Sequence, residues 1–195
     1  GNYRSFPALA VYFFLVFIYN LFTEGYLHAN EDIIQYWGLS NNFLDAPIML
    51  TFLSYFSTSL KQTKRLRIIT YILIAFDIAI IIWKGFNIEA ATIIMAPGLG
   101  TVLFYCLLFF IRQTKISILH QKALGKALII TSLLFAYGCY VLIYLIYYIF
   151  KTPDIANTFL IYFIVTTLSS GLLCAGLAIE KRRIIKLEEL KQTRR

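Results

Sequence analysis

Six long apolar runs alternate with short polar links, and the positive charge of those links falls almost entirely on every second one. The hydrocarbon core of a bilayer is about 30 Å thick, so a crossing helix needs about 20 apolar residues. Hydrocarbon supplies no hydrogen-bond partners, which leaves a helix as the way for each run to satisfy its own backbone. Runs of suitable length occupy residues 6–27, 41–60, 66–84, 90–111, 124–150 and 155–180. One set of links and ends carries Arg4, then Lys61, Lys64, Arg65 and Arg67, then Arg112, Lys115, Lys122 and Lys126. The same set ends with Lys181, Arg182, Arg183, Lys186, Lys191, Arg194 and Arg195. Of the 18 Lys and Arg residues, only Lys84 and Lys151 fall on the other side. Glu24, Glu31, Asp32, Asp45, Glu89 and Asp154 lie on that sparsely basic side.

Loops rich in Lys and Arg stay in the cytoplasm. The pattern therefore predicts an all-α, polytopic integral membrane protein: a six-transmembrane-helix bundle with N- and C-termini cytoplasmic. Residues 1–180 form the transmembrane domain and 181–195 a basic cytoplasmic tail. Abundant Ile, Lys, Asn, Tyr and Phe suit an AT-rich bacterial genome, and with it the plasma (inner) membrane.

Composition excludes several classes. The chain is 59% hydrophobic and 14% charged, against about 25% charged in soluble domains. A net charge of +8 would suggest nucleic acid in a soluble protein. Here the basic residues flank apolar runs, so membrane lipids with anionic headgroups are the expected partner and nucleic acid is not. Cys106, Cys139 and Cys174 sit inside apolar runs with no metal-ligand spacing, which makes inert thiols of them. The two histidines, His28 and His120, fall on opposite sides. No metal site is expected, and nothing in the sequence names a cofactor. The chain lacks G-x-G-D, G-x-S-x-G, H-E-x-x-H and a P-loop, so catalytic residues stay unassigned.

Between the first two runs, residues 23–40 form the longest link of the sparsely basic side. Asn30-Glu31-Asp32 reads as a helix start and Gly38 as a stop. Ile33, Ile34, Tyr36 and Trp37 between them predict a short interfacial helix in this first outer loop. The second span then begins near Ser40 or Asn41, with Pro47 in its first two turns.

Some polar groups lie where hydrocarbon penalises them. Asp77 stands inside the third run, and a charge near the bilayer centre costs about 2.5–3.5 kcal/mol. It is expected to face the bundle interior and have a partner or be protonated, either as a ligand contact, proton carrier or catalytic acid, or as an interhelical hydrogen bond that locks packing. Glu24 and His28, four residues apart, share a face if the first helix continues; they read as a ligand-binding pair or as a plain surface cluster. Asn42 and Asp45 share a face beside Pro47, where proline frees backbone carbonyls. Asp45 also suits a helix N-terminus. Pro97, in Met95-Ala96-Pro97-Gly98-Leu99-Gly100, predicts a kink or break in the fourth helix. Tyr137, Tyr140 and Tyr144 make a stripe too deep for an interfacial belt, either lining a site or knitting a core. On the sixth run Thr167, Gly171, Ala175 and Ala178 form a small-residue face for helix packing, in the bundle or in a homo-oligomer.

Asp77, Asp45, Asn42, Glu24, His28 and Pro97 all fall toward the outer side. Together with the tyrosines they outline an outward-facing polar pocket that binds or translocates a small-molecule, lipid or other amphipathic ligand. Two alternatives stand beside this reading. One is a membrane sensor or accessory subunit that signals to a cytoplasmic protein partner through its tail. The other is an intramembrane enzyme acting on a lipid or isoprenoid.

The topology is open to direct measurement in a background with all three cysteines replaced by serine. Cysteines introduced at Glu31 and Glu89 are expected to react with a membrane-impermeant maleimide on intact cells. Cysteines at Lys64 and Lys115 are expected to react only after permeabilisation.

Overall fold

The computed structural model describes residues 6–120, 124–150 and 155–192. Arg4, Lys122, Lys151, Asp154, Arg194 and Arg195, which contribute to the charge pattern, lie outside them, as does the side chain of Tyr147. Among the described residues the chain is all helical: α1 (Phe6–Thr23), α2 (Glu31–Leu53), α3 (Leu60–Lys84), α4 (Ile88–His120), α5 (Leu124–Tyr144) and α6 (Ile155–Gln192). A single turn of 3-10 helix, Ser54–Phe56, follows α2, and a π-helical turn, Leu145–Ile149, extends α5. Five of the helices, all except α2, are long and apolar enough to cross a membrane. Their outward faces carry large apolar side chains, such as Phe14, Ile82 and Phe163, each more than half exposed. Such faces suit hydrocarbon and would be a liability in water. The chain is a membrane protein.

The exception is instructive. α2 has 23 residues, enough to span, but Ser40, Asn41, Asn42 and Asp45 make it too polar to qualify. It is also the helix with the longest run of buried positions in the first half of the chain, including Phe43, Ala46, Pro47, Met49, Leu50, Phe52 and Leu53. From Leu39 onward its neighbours bury one face of it and half-bury Ser40, Asn41, Asn42 and Asp45, so those residues are partly shielded from lipid.

This helix corrects the expected short interfacial helix. Residues 31–53 form one continuous α-helix through Gly38, with Asn30 in extended geometry at its start. Ser40 does not cap; its hydroxyl donates to the Tyr36 carbonyl one turn back, at 2.8 Å. Pro47 therefore sits in the C-terminal half of the helix. Gly38 serves packing, since a Cβ there would stand 3.0 Å from the Tyr19 ring. One residue earlier, the Trp37 indole N–H donates to the Leu15 carbonyl at 3.2 Å.

Other boundaries also move for local reasons. α1 stops at Thr23 rather than near Leu27 because Gly25 takes a left-handed conformation (φ 77°), which ends helices. α2 ends at Leu53, and α3 starts six residues earlier than the hydropathy suggests. Ser59 caps it, its hydroxyl accepting from the Gln62 N–H at 3.2 Å and satisfying an orphan donor. Gly85 (φ 83°) closes α3, and Asn87 bridges the turn, donating to the Lys84 carbonyl and accepting from the Ala90 N–H.

The chain divides into two compact units, residues 1–102 and 103–195. In the first, Leu39 and Phe43 of α2, Ile80 of α3 and Ala90, Ala91 and Ile94 of α4 form one buried cluster. At the far end of α1, Phe6 packs edge-on against Tyr55 (4.7 Å between centroids) and Phe52 (5.9 Å).

In the second unit α5 and α6 cross with their backbones in contact. A Cβ on Gly176 would lie 2.9 Å from the Ile129 nitrogen, and one on Gly125 would lie 2.9 Å from the Gly176 carbonyl oxygen. The face of α6 that packs is Ser169, Leu173, Gly176 and Glu180. The face foreseen for packing, Thr167, Gly171, Ala175 and Ala178, is exposed within the described chain. Residue size marks both faces as candidates; only the crossing point chooses between them. Gly176→Ala is expected to lower the thermal midpoint in detergent, by about 1–3 kcal/mol of stability from overpacking. Gly171→Ala, with open space at its Cβ position, is expected to leave the midpoint unchanged or raise it, because alanine favours helix by up to about 1 kcal/mol.

Candidate functional site

Leu66, Thr70, Leu73, Asp77 and Ile80 are the buried residues of α3. Their spacing of three and four puts them on one stripe, and the rest of the helix is largely exposed and apolar. Burial of Asp77 thus follows from its register: the helix has one covered face, and the aspartate is on it. The residue is only 7% exposed. Thr70 on the same stripe satisfies its hydroxyl locally, donating to the Leu66 carbonyl at 3.0 Å. Asp77 has no such relief, and its carboxylate makes no hydrogen bond or ion pair among the described residues. Both readings of this residue foresaw an inward-facing carboxylate; among the described residues the interhelical hydrogen bond of the second is absent.

Ile80, one turn from Asp77, packs in the cluster with Leu39 and Phe43. A Cβ on Gly98 would lie 3.0 Å from the Ala46 Cβ, so α2 and α4 pass closely there. Pro97 is exposed and α4 runs unbroken from Ile88 to His120. Of the kink or break expected at Pro97, the break does not occur, and the adjacent glycine serves the approach to Ala46.

Asn42 and Asp45 are half-buried on α2 and share its face as their spacing requires. Asp45 is already engaged with a neighbour. Asn41, which the sequence offers as a helix start, has its side-chain Nδ2 buried without an acceptor. The signal for it was the polar run Ser40-Asn41-Asn42 in a segment long enough to be a single helix.

Glu24 and His28 are exposed and lie beyond the end of α1. With Gly25 reversing the chain they do not share a helical face, and their side chains form no hydrogen bond or ion pair among the described residues. No group of three His, Cys, Asp or Glu suited to a metal occurs among the described residues.

The tyrosines belong to the second unit. Tyr137 is buried and meets Tyr140 edge-on at 5.5 Å, Tyr140 meets Tyr162 of α6 at 6.0 Å, and Tyr144 meets Tyr148 at 5.4 Å. All are engaged with neighbours, as a knitted core requires. Nearby polar groups on α5 and α6 are also matched. The Ser132 hydroxyl donates to the Ser169 carbonyl at 2.6 Å, and the Ser169 hydroxyl to the Thr166 carbonyl at 3.0 Å. Glu180, 1% exposed, accepts two hydrogen bonds from the Arg183 guanidinium, at 2.9 and 2.5 Å. Lys126 lies in the field of the same pair. Sequence reasoning placed Glu180 at the end of the sixth run, where the basic tail begins. Its spacing of three from Arg183 was the available sign of an ion pair.

No protein-family model, curated protein or solved structure matches this chain. The unpartnered Asp77 therefore stands on geometry alone. Losing one member of a buried ion pair costs about 3–5 kcal/mol. With no partner to lose, Asp77→Asn in low-salt detergent is expected to keep or raise the thermal midpoint. A fall of that magnitude would reveal a partner.

Proposed function

We propose that this protein is a six-span membrane protein with both termini in the cytoplasm, and that it binds or translocates a small or amphipathic ligand at a polar site around Asp77 that opens to the outer side. The observation that carries this reading is a carboxylate buried on a helix long and apolar enough to cross a membrane, with no partner among the described residues. A charge held in that position costs free energy, and such residues in membrane segments mark ligand and ion pathways. The half-buried Asn42 and Asp45 and the unsatisfied amide of Asn41 support it, all lying on the one helix too polar for lipid. At about 1.5 Å per residue α2 is roughly 34 Å long, which supports its role as the sixth span. Homo-oligomers and association with anionic lipid are consistent with this arrangement.

A second reading is favoured by α6, which continues as helix to Gln192 and carries Lys181, Arg182, Arg183 and Lys186 in that extension. A rigid basic rod of this kind suits a sensor or accessory subunit that contacts a cytoplasmic protein.

Native mass spectrometry with lipid extraction, applied to wild type and Asp77→Asn, separates the two. Under the ligand reading a co-purifying small molecule or lipid is expected with the wild type and lost from the variant. Identical bound species in both proteins would count against the site at Asp77. Loss of a co-purifying protein on truncation after Glu180 would favour the second reading.

A further inference from the structure

The second unit carries a cluster of charges that takes no part in the reading of Asp77. Residues 112–126 and 180–195 together hold 11 Lys and Arg residues against 3 Glu. That excess equals the +8 of the whole chain. Even with each of those Glu residues in an ion pair, most of the cations there have no acid of the same segments to neutralise them.

Part of that charge is built into the helix pair rather than spread over its surface. Gly125 lies at the start of the apolar run of α5 and Glu180 at the end of that of α6. A Cβ on Gly125 would stand 2.9 Å from the Glu180 nitrogen and 3.1 Å from the Glu180 Cβ, so the polar ends of the two runs meet at one height. Glu180 is 1% exposed and accepts from the Arg183 guanidinium, from Nε at 2.9 Å and from Nη2 at 2.5 Å. Lys126, half-buried and next to Gly125 in sequence, lies in the field of both. Two half-buried cations thus share one buried carboxylate.

Large apolar side chains are exposed next to these residues in the chain. Leu124 is 52% exposed and Ile179 36%. Apolar surface that ends in cations is the chemistry of the boundary between hydrocarbon and headgroups. An acyl chain suits Leu124 and Ile179, and a phosphate suits Lys126 and Arg183, since guanidinium N–H groups match phosphate oxygens. A soluble acidic protein would meet the exposed Lys181, Arg182 and Lys186 farther along α6 before it reached this height.

We propose that Lys126 and Arg183, positioned by the buried Glu180, form a binding site for the phosphate headgroup of an anionic membrane lipid where α5 and α6 meet. The attraction of exposed basic residues to anionic lipid is diffuse and is screened by salt. Partly buried charges are screened much less. A site of this kind is therefore marked by resistance to salt, and by dependence on Lys126 rather than on the number of lysines nearby. The lipid phosphate supplies negative charge beside two cations that one carboxylate does not balance.

The test is thermal unfolding of the full chain in detergent, titrated with dioleoylphosphatidylglycerol or dioleoylphosphatidylcholine at low and at high NaCl. A lipid that binds only the folded state raises the midpoint. Phosphatidylglycerol is expected to raise the wild-type midpoint by several degrees more than phosphatidylcholine does, and to keep most of that shift at high salt. Lys126→Gln is expected to need several-fold more phosphatidylglycerol for the same shift. The double variant Lys181→Gln/Lys186→Gln, which removes two exposed charges, is expected to respond as the wild type does. Glu180→Gln/Arg183→Gln, with two amides in place of the ion pair, is expected to lose most of the shift; Lys126→Gln keeps that pair and carries the test if the double variant does not fold. Asp77→Asn is expected to respond as the wild type does, which separates this site from the ligand reading. The inference is overturned if the two lipids act alike, if Lys126→Gln responds as the wild type does, or if Lys181→Gln/Lys186→Gln loses as much as Lys126→Gln. It is also overturned if glycerol 3-phosphate reproduces the shift, which would assign the site to a soluble phosphate, or if poly-L-glutamate does so in place of the lipid, which would assign it to an acidic protein.

Discussion

Polar groups on a membrane-crossing chain have only other parts of the protein to meet, and this constraint organises each of the two units. Hydrocarbon cannot take up a stray carboxylate or amide. Helices whose outer faces are apolar can border lipid, as α1 and α3 do along most of their length. α2 cannot, because it carries Ser40, Asn41, Asn42 and Asp45. Its neighbours instead shield those residues in part, and the close approaches at Gly38 to Tyr19 and at Gly98 to Ala46 bring the helices together along that face.

The second unit resolves the same constraint by pairing. Gly125 and Gly176 let α5 and α6 touch at the backbone. At that separation a serine on one helix reaches a carbonyl on the other, and the ring series from Tyr137 to Tyr162 closes without gaps. Glu180 is buried, but Arg183 meets it with two hydrogen bonds. Asp77 in the first unit is treated differently. It is also buried, at 7% exposed, and pairs with no group among the described residues. A group left in that state is a standing cost to stability, which proteins keep where an occupant relieves it.

Much of this was legible along the chain, because hydropathy, helix length and charge bias are sums over many residues and tolerate local error. Five of the apolar runs are membrane-length helices for that reason. Asp77 was also legible: one charged residue in an apolar run has to face inward whatever the details. Features that depend on a single residue were not. Gly38 and Gly25 look alike in sequence, but one lies within a helix under the Tyr19 ring and the other ends a helix at positive φ. Pro97 looks like a break and is accommodated in a continuous helix. Glu24 and His28 look paired and are separated by a reversal of the chain.

The amino-acid order by itself determined that this is an all-helical membrane chain, roughly where its helices lie, and that a carboxylate sits within one of them. Those properties follow from the free energy of moving each side chain between water and hydrocarbon, which is a local quantity. Only the tertiary structure decided which small-residue face of α6 packs, that residues 31–53 are one continuous helix rather than a surface helix and a span, and that Asp77 lacks a partner among the described residues while Glu180 has one. These depend on which surfaces meet, and a meeting of surfaces is set by the shapes of both helices at once.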